Sequence, residues 1–403
     1  MSFKIKKSKY SPLYIYIYVL LFFGLAFTKT QIFGPLYLHD LVLILFTIYS
    51  LTVRRLSSIK HLALFVFICI SIIYLFYSLS LTELSQELKI VALRQFMLYF
   101  YFIIAFIFYN QYIKNHDIYP LIKFLKNIGF VSIALQIFYF LYLILFNYNN
   151  FSLFEGYNYY SPAIMFGIIN FGAYVLVYKK GVLKWTFFLM ALLLSTLLGH
   201  ASLFLAVFTL ALMYFLIKVN LKGKIIAILL VIISVSILLF LPQFQDNNAS
   251  WRLMFWGELS NIMFLDNFGI FGEGFGQPYA SNEFAQELYD KLGSQGFFDR
   301  SKPLERWVSP PHNSFLTICF HTGFISLVLL FEPLKKAFAF FFVNTDVILD
   351  RNKLFLLLLL LGYMVWVSFN VILELPHSAF MFWLAYFVAI EYFNSKKRLN
   401  EHI

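Results

Sequence analysis

Residues 61–80 read HLALFVFICISIIYLFYSLS, an unbroken apolar run with no Asp, Glu, Lys or Arg. As a helix rising about 1.5 Å per residue it would be about 30 Å long, the hydrocarbon thickness of a bilayer. A helix on the surface of a soluble protein keeps one polar face, and this run has none, so it reads as a membrane span. The same texture recurs on both sides of it, at residues 11–28, 36–53, 95–110, 127–147, 160–178, 183–198, 200–217, 224–242, 311–333, 353–374 and 378–393. Composition agrees: 61% of residues are hydrophobic and 13% charged, far from the balance of a water-soluble domain. The sequence therefore predicts an all-α polytopic membrane protein with about 12 transmembrane helices.

His200 divides the apolar run 183–217 in two through a very tight turn. Were that run a single helix, every later connection would change sides, and charge placement decides the matter. With the division kept, most of the 31 Lys and Arg residues fall on one side: the N-terminus, the connections at 54–60, 114–126, 179–184, 218–224 and 335–353, and the C-terminal tail. By the positive-inside rule that side is the cytoplasm, which places both termini inside. The net charge of +11 thus records orientation and lends no support to nucleic acid as a partner. No small-residue cleavage site precedes Gln31 and Lys29 follows the first run directly, so that run reads as a retained helix. Cys69 and Cys319 fall inside predicted spans, which offers neither a disulfide framework nor a thiolate metal site, and no cofactor is indicated.

Between Pro242 and Pro311 the hydropathy collapses into a long stretch rich in Gly, Asn, Asp, Glu and Arg on the outer side. Loops of this length carry function or are disordered. Trp251, Phe255, Trp256, Leu259, Ile262 and Met263 recur at three- and four-residue spacing, so 251–264 predicts an amphipathic helix lying on the membrane. Asp266 and Asn267 end it, Gly269, Gly272, Gly274 and Gly276 follow as a turn, and 280–292 predicts a second helix. The expected organisation is helices 1–9 in residues 1–242, a periplasmic loop in 243–310, helices 10–12 in 311–393 and a cytoplasmic tail in 394–403.

Polar residues collect at the same outer edge: His39 and Asp40 opening the second span, Arg94 and Gln95 opening the fourth, Glu155, His200 between the seventh and eighth, and His312 with Asn313 opening the tenth. Ionisable groups near membrane depth pair or line a water-filled cavity, so these residues predict a polar chamber that opens outward. Each also has a plainer reading. Asp40 caps a helix N-terminus, Arg94 snorkels to headgroups, His200 is a turn residue, and Arg252 and His312 are an interfacial anchor and a helix-start histidine.

Three stretches carry a resemblance. They are Ser250-Trp251-Arg252-Leu253-Met254-Phe255-Trp256, then Asn267-Phe268-Gly269-Ile270-Phe271-Gly272-Glu273-Gly274-Phe275-Gly276, and Pro311-His312-Asn313-Ser314-Phe315-Leu316 with Gly323 shortly after. In order, spacing and membrane side they resemble the signature of the O-antigen polymerase and O-antigen ligase superfamily, in which Arg-x-x-x-Trp, a Gly-x-Gly turn and a His-Asn helix start bracket the main periplasmic loop. Leu93-Arg94-Gln95 and Asp40 resemble, more faintly, a basic and an acidic residue of the family's middle and second spans. One departure stands out. Where many members place an Arg between two tight helices, this chain has His200, which puts a second fixed positive charge at that corner in doubt.

The resemblance implies a metal-independent membrane glycosyltransferase of GT-C-like architecture acting in lipopolysaccharide or related polysaccharide biosynthesis. Its substrate would be an oligosaccharide on undecaprenyl diphosphate, and a polysaccharide co-polymerase that regulates chain length is an implied partner, alongside membrane lipid. Arg252 and His312 are the implied catalytic residues, and Arg94, Asn313, His200, Asp40, Arg306 and Gly274 the implied substrate-binding ones. The residues themselves agree on two points. Arginine suits a leaving diphosphate because its planar fork stays charged and donates in pairs. No Asp-x-Asp occurs, so a divalent ion of the nucleotide-sugar kind is not indicated. The loop's carboxylates outnumber Arg252, Lys291, Arg300, Lys302 and Arg306, so binding of an anion rests on the placement of Arg252, with Arg94, Arg300 or Arg306, and not on a basic field. For His312 three roles stay open: a base of pKa about 6.5 that takes the acceptor's proton, a neutral donor that orients the acceptor, or a cation that holds the diphosphate. The polymerase is favoured. The alternatives are a ligase that passes the glycan to lipid A core and a flippase of the same lipid-linked glycan.

Overall fold

The computed structural model describes residues 11–33, 36–53, 60–81, 85–114, 116–146, 162–197, 200–217, 219–220, 222–226, 229, 247–267, 269–292, 304–342 and 350–395. They are mostly helical, the exception being a small antiparallel hairpin, Gln31–Phe33 with Leu36–Tyr37. Helices α1 (Ser11–Lys29), α2 (Leu38–Val53), α3 (Leu62–Ser80), α4 (Gln86–Gln95), α5 (Met97–Phe108), α6 (Tyr119–Phe146), α7 (Pro162–Tyr178), α8 (Gly181–Leu197) and α9 (Ala201–Leu216) precede the loop region. The loop contributes α10 (Asn247–Asn267), α11 (Asn282–Leu292) and the single turn α12 (Glu305–Val308). After it come α13 (Ser314–Thr322), α14 (Phe324–Phe331), α15 (Lys335–Phe342), α16 (Arg351–Val367) and α17 (Pro376–Asn394).

Among the described residues, α3 and residues 119–138 of α6 are long and apolar enough to cross a membrane, and α4 with α5 makes a third if that pair, bent by 42°, is one span. The apolar parts of α1, α2, α7, α8 and α9 are shorter. The division of 183–217 at His200 is present, with α8 and α9 as separate helices. The run 224–242 lies largely outside the described residues, as do Glu155, Arg300 and Lys302.

Three expected spans take a different form. The fourth starts at Gln86 rather than 95 and kinks at Phe96, and its end winds into a π turn at Tyr109–Ile113. The tenth is not one helix: Gly323, at φ 83°, separates α13 from α14. The eleventh ends at Val367, and 368–375 is a turn that leads to Leu375 and Pro376, where the pre-proline residue disfavours helix.

The core is packed by aromatic and aliphatic side chains, with Trp366, Trp383, Tyr363 and Tyr386 fully buried between α16, α17 and their neighbours. Asn170 is a buried polar group paired across helices: it donates to the Leu125 carbonyl at 2.8 Å and accepts from the Tyr363 hydroxyl. Such pairing lets polar side chains sit in an apolar bundle.

The two ends of the bundle differ. One carries lysines held by the ends of other helices: Lys60 on Glu391 at 3.2 Å, Lys126 on Asn352 at 3.0 Å, Lys184 on Tyr214 at 2.8 Å and Lys224 on the Phe341 carbonyl at 2.6 Å. The other end receives the loop. Trp251, Phe255, Leu259 and Met263 form the four-residue stripe that α10 buries against Tyr279, Phe284, Leu288 and Phe320. Gln95 pins the following segment, accepting from Gly276 N–H at 2.7 Å and donating to the carbonyls of Gln277 at 3.1 Å and Trp307 at 2.7 Å.

The glycine turn enters at the break of the tenth span. Glu273 and Gly274 N–H groups reach the carbonyls of Phe320 at 2.7 Å and His321 at 3.1 Å, and Phe324 N–H reaches the Gly269 carbonyl at 2.9 Å. Carbonyls and N–H groups that the break would strand are thereby satisfied by the loop. The approach is possible only without side chains: a Cβ on Gly272 would lie 2.2 Å from the His321 carbonyl carbon, and one on Gly323 would lie 2.0 Å from the Ile270 oxygen.

Candidate functional site

Residues 200, 252 and 312 are far apart in sequence and meet at the loop end of the bundle. The His312 ring meets the edge of Trp251 with centroids 5.1 Å apart, and the Arg252 guanidinium carbon lies 5.5 Å from the same indole. The charge of Arg252 acts on both His312 and His200. His200 precedes the first turn of α9 and, with Thr196, Ala201 and Phe204, lines a cleft of about 320 Å³.

His312 sits before α13 at φ 52°, a conformation unusual for a residue with a side chain. Its backbone N–H turns back to the Pro310 carbonyl at 2.8 Å, while Trp256 donates to the Pro311 carbonyl at 2.5 Å. Helix α10 thus grips the entry to α13 one turn after Arg252. The imidazole does not have the expected pKa near 6.5. Burial first, and the Arg252 guanidinium second, push it down to about 3, so His312 is neutral at physiological pH. Burial, with Arg252 behind it, also lowers His200, which therefore supplies no second positive charge at this corner.

The remaining expected site residues go elsewhere. Asn313 caps α13, its Oδ1 accepting from Leu316 N–H at 3.1 Å. Gly274, at φ 87°, belongs to the turn packed on His321, whose Nδ1 is 2.8 Å from the Gly274 carbonyl. Arg306 donates to the Ala280 carbonyl at 3.0 Å and lies over the Trp307 ring at 4.5 Å, so it braces the loop. Arg94 is exposed in the last turn of α4, within electrostatic reach of Tyr279. Asp40 is buried in a cluster of its own, 2.8 Å from His39 Nε2 and accepting from Tyr101 at 3.0 Å and from Tyr37 N–H at 3.2 Å. The polar chamber expected from the sequence is therefore smaller: His200, Arg252 and His312 share a corner, Asp40, Asn313, Gly274 and Arg306 hold helices and loop in place, and Arg94 stays at the exposed end of α4.

One wall of that corner was missed. The turn 368–375 touches the neighbourhood of all three residues: Asn370 donates to Ser202 Oγ at 2.7 Å, Phe369 packs on Trp256 with centroids 5.8 Å apart, and Glu374 accepts from Ser314 Oγ. Burial raises the Glu374 carboxyl to about 7, against the pull of the hydroxyls of Ser314 and Thr317 and the N–H groups of Glu374 and Leu373. In sequence Glu374 closes an apolar run, and only its place two residues before a proline marks it as non-helical. No group of three or more His, Cys, Asp or Glu placed to hold a metal ion occurs among the described residues.

Comparison with family models, with curated proteins and with solved structures finds no match to this chain.

Proposed function

We propose that the chain is a polymerase of the O-antigen polymerase and ligase superfamily, a twelve-span inner-membrane glycosyltransferase with cytoplasmic termini. It joins repeat units carried on undecaprenyl diphosphate at the periplasmic face and releases the lipid diphosphate. The observation that carries this reading is the convergence of Arg252, His312 and His200 from three distant segments at the end of the bundle away from the lysines. In this scheme Arg252 faces the diphosphate with a charge that does not titrate. His312, neutral beside it, orients the acceptor through a hydrogen bond and does not act as a cation. The ordered loop, packed along its apolar stripe and braced by Gln95 and Arg306, keeps Arg252 at the corner.

Deleting the gene tests the reading. Single repeat units on undecaprenyl diphosphate should accumulate in the outer leaflet, with loss of long-chain glycan, and the wild-type gene should restore it. Long chains held on the lipid diphosphate would make the protein a ligase, and single units trapped in the inner leaflet would make it a flippase.

A further inference from the structure

The apolar stripe of α10 is buried inside the loop, against Tyr279, Phe284, Leu288 and Phe320, and is therefore not free to lay residues 251–264 on the membrane as the sequence predicts. The loop exposes its apolar surface at the glycine turn instead. Phe264, Ile270 and Phe271 are each at least half exposed, and Phe324 and Val328 of α14 extend the patch. Its parts adjoin: the Phe264 ring lies 3.1 Å from where a Cβ would stand on Gly269, and the Gly269 carbonyl accepts from Phe324 N–H at 2.9 Å. Helix α11 of the same loop is the opposite case, exposing Asn282, Glu283, Gln286, Glu287 and Asp290. The patch continues onto α3, against which α14 packs. Tyr74 and Ser78, one turn apart on α3, receive the glycine turn, with Gly272 N–H donating to the Tyr74 hydroxyl at 3.3 Å and Phe275 N–H to Ser78 Oγ at 2.9 Å. The adjoining face of that helix exposes Ile73, Phe76 and Tyr77.

The backbone of the turn points the same way. A loop in water can leave its N–H groups to water, whereas irregular backbone at membrane depth must be paired within the protein. Here the N–H groups of Gly269, Gly272, Glu273, Gly274, Phe275 and Gly276 all donate to protein atoms, three to the carbonyls of Met263, Phe320 and His321 and three to the side chains of Tyr74, Ser78 and Gln95. The carbonyls of Gly269, Gly274 and Gly276 accept from Phe324 N–H, His321 Nδ1 and Trp307 Nε1. We propose that the glycine turn lies at the edge of the hydrocarbon layer, its exposed face of Phe264, Ile270, Phe271 and Phe324 covered by the acyl chains of membrane lipids. Acyl chains are the occupant because the patch continues the exposed face of α3, a helix long and apolar enough to cross a membrane, and because the paired backbone is what hydrocarbon demands. Glu273 in the same turn limits the depth, since a carboxylate at the bilayer centre is costly, so the turn rests at the boundary with the headgroups. The proposal stands on α3 as a span and is independent of the glycosyl-transfer reading.

The test uses the unaltered full chain in vesicles of phosphatidylethanolamine and phosphatidylglycerol doped with a phospholipid that carries a diazirine in its acyl chain. After photolysis, mass spectrometry should map adducts to Phe264, Ile270, Phe271 and Phe324 as well as to Ile73 and Phe76, and none to Glu283 or Glu287. Adducts on α3 with the turn left clean would overturn the proposal, and a clean α3 would remove the span on which it stands. A second measurement places a nitroxide label at Phe271→Cys in a chain carrying Cys69→Ala and Cys319→Ala. Oxygen, which concentrates in hydrocarbon, should relax the label more than a water-soluble nickel chelate does, as at Ile73→Cys and opposite to Glu287→Cys. A label at 271 that behaves like the one at 287 would overturn the assignment. Disulfide-linked dimers of the Phe271→Cys chain without lipid adducts at the turn would make a second copy the occupant, and overturn it equally.

Discussion

Arg252 shows how one residue sets the chemistry of its neighbours. A guanidinium keeps its charge in a half-buried corner, whereas the imidazoles of His200 and His312 yield theirs, lowered by burial and then by that guanidinium. Among these three residues a single fixed cation remains. Arg252→Ala should leave insertion and abundance intact and remove about 2–4 kcal/mol of transition-state stabilisation, the scale of a lost oxyanion donor. Lys at the same position should restore part of it, since a point charge lacks the paired fork. The same Ala variant removes a repulsion that disfavours the imidazolium form, so the pKa values of His312 and His200 should rise, measurable as faster titration-dependent exchange of their ring C2 hydrogens followed by mass spectrometry. Unchanged rates would return Arg252 to an interfacial anchor, and unchanged pKa values would separate it from the two histidines.

At the scale of elements, the broken tenth span and the glycine turn form one unit. Gly323 needs φ 83° and has the Ile270 oxygen where a Cβ would go, so Gly323→Ala should lower stability by roughly 1–3 kcal/mol for the backbone strain, with the clash added. Gly257 in α10 has nothing within 4 Å of its Cβ position, so Gly257→Ala should raise stability by about 0.5–1 kcal/mol. Thermal melts of the two variants in detergent should move in opposite directions, and equal melts would remove the turn from the account. Sequence and structure part here for physical reasons. The stripe of Trp251, Phe255, Leu259 and Met263 was legible because period and burial coincide, and the helix forms with about a turn added at each end. The break at Gly323 was not legible, because apolar residues continue across it and the groups that repair it come from residues 269–274. Asn313 and Gly274 entered the expected site through the resemblance, and helix capping and a positive φ call for the same residue types. Glu374 escaped notice because its partner, Ser314, lies sixty residues away.

At the scale of the whole molecule, the described residues place different groups at the two ends of the bundle, and the proposed orientation rests on that difference. Lysines 60, 126, 184 and 224 sit at one end, each held by the terminus of another helix, and the loop with Arg252 sits at the other. A helix as short as α9, with 16 residues, spans about 24 Å, less than the hydrocarbon core of about 30 Å, so length by itself does not make each helix a span. α9 packs side by side with α8, whose N-terminus and its own C-terminus share the Lys184–Tyr214 contact, so the pair runs antiparallel between the same two ends. If the lysine end is cytoplasmic, alternation carries α3, α6, α8 and α16 outward and α9, α13, α14 and α17 inward, and the loop falls in the periplasm. A reporter fused after Asn247 should then be active outside, and reporters after Lys222 or Lys336 inside. Cysteine substitutions at exposed positions of α11, such as Glu287, should react with a membrane-impermeant reagent in intact spheroplasts, and substitutions at Lys335 should react only after permeabilisation. Placement of 247 and 336 on one side would mean that an odd helix is missing or added between them, and the corner formed by His200, Arg252 and His312 could not then face the side that the proposed function requires.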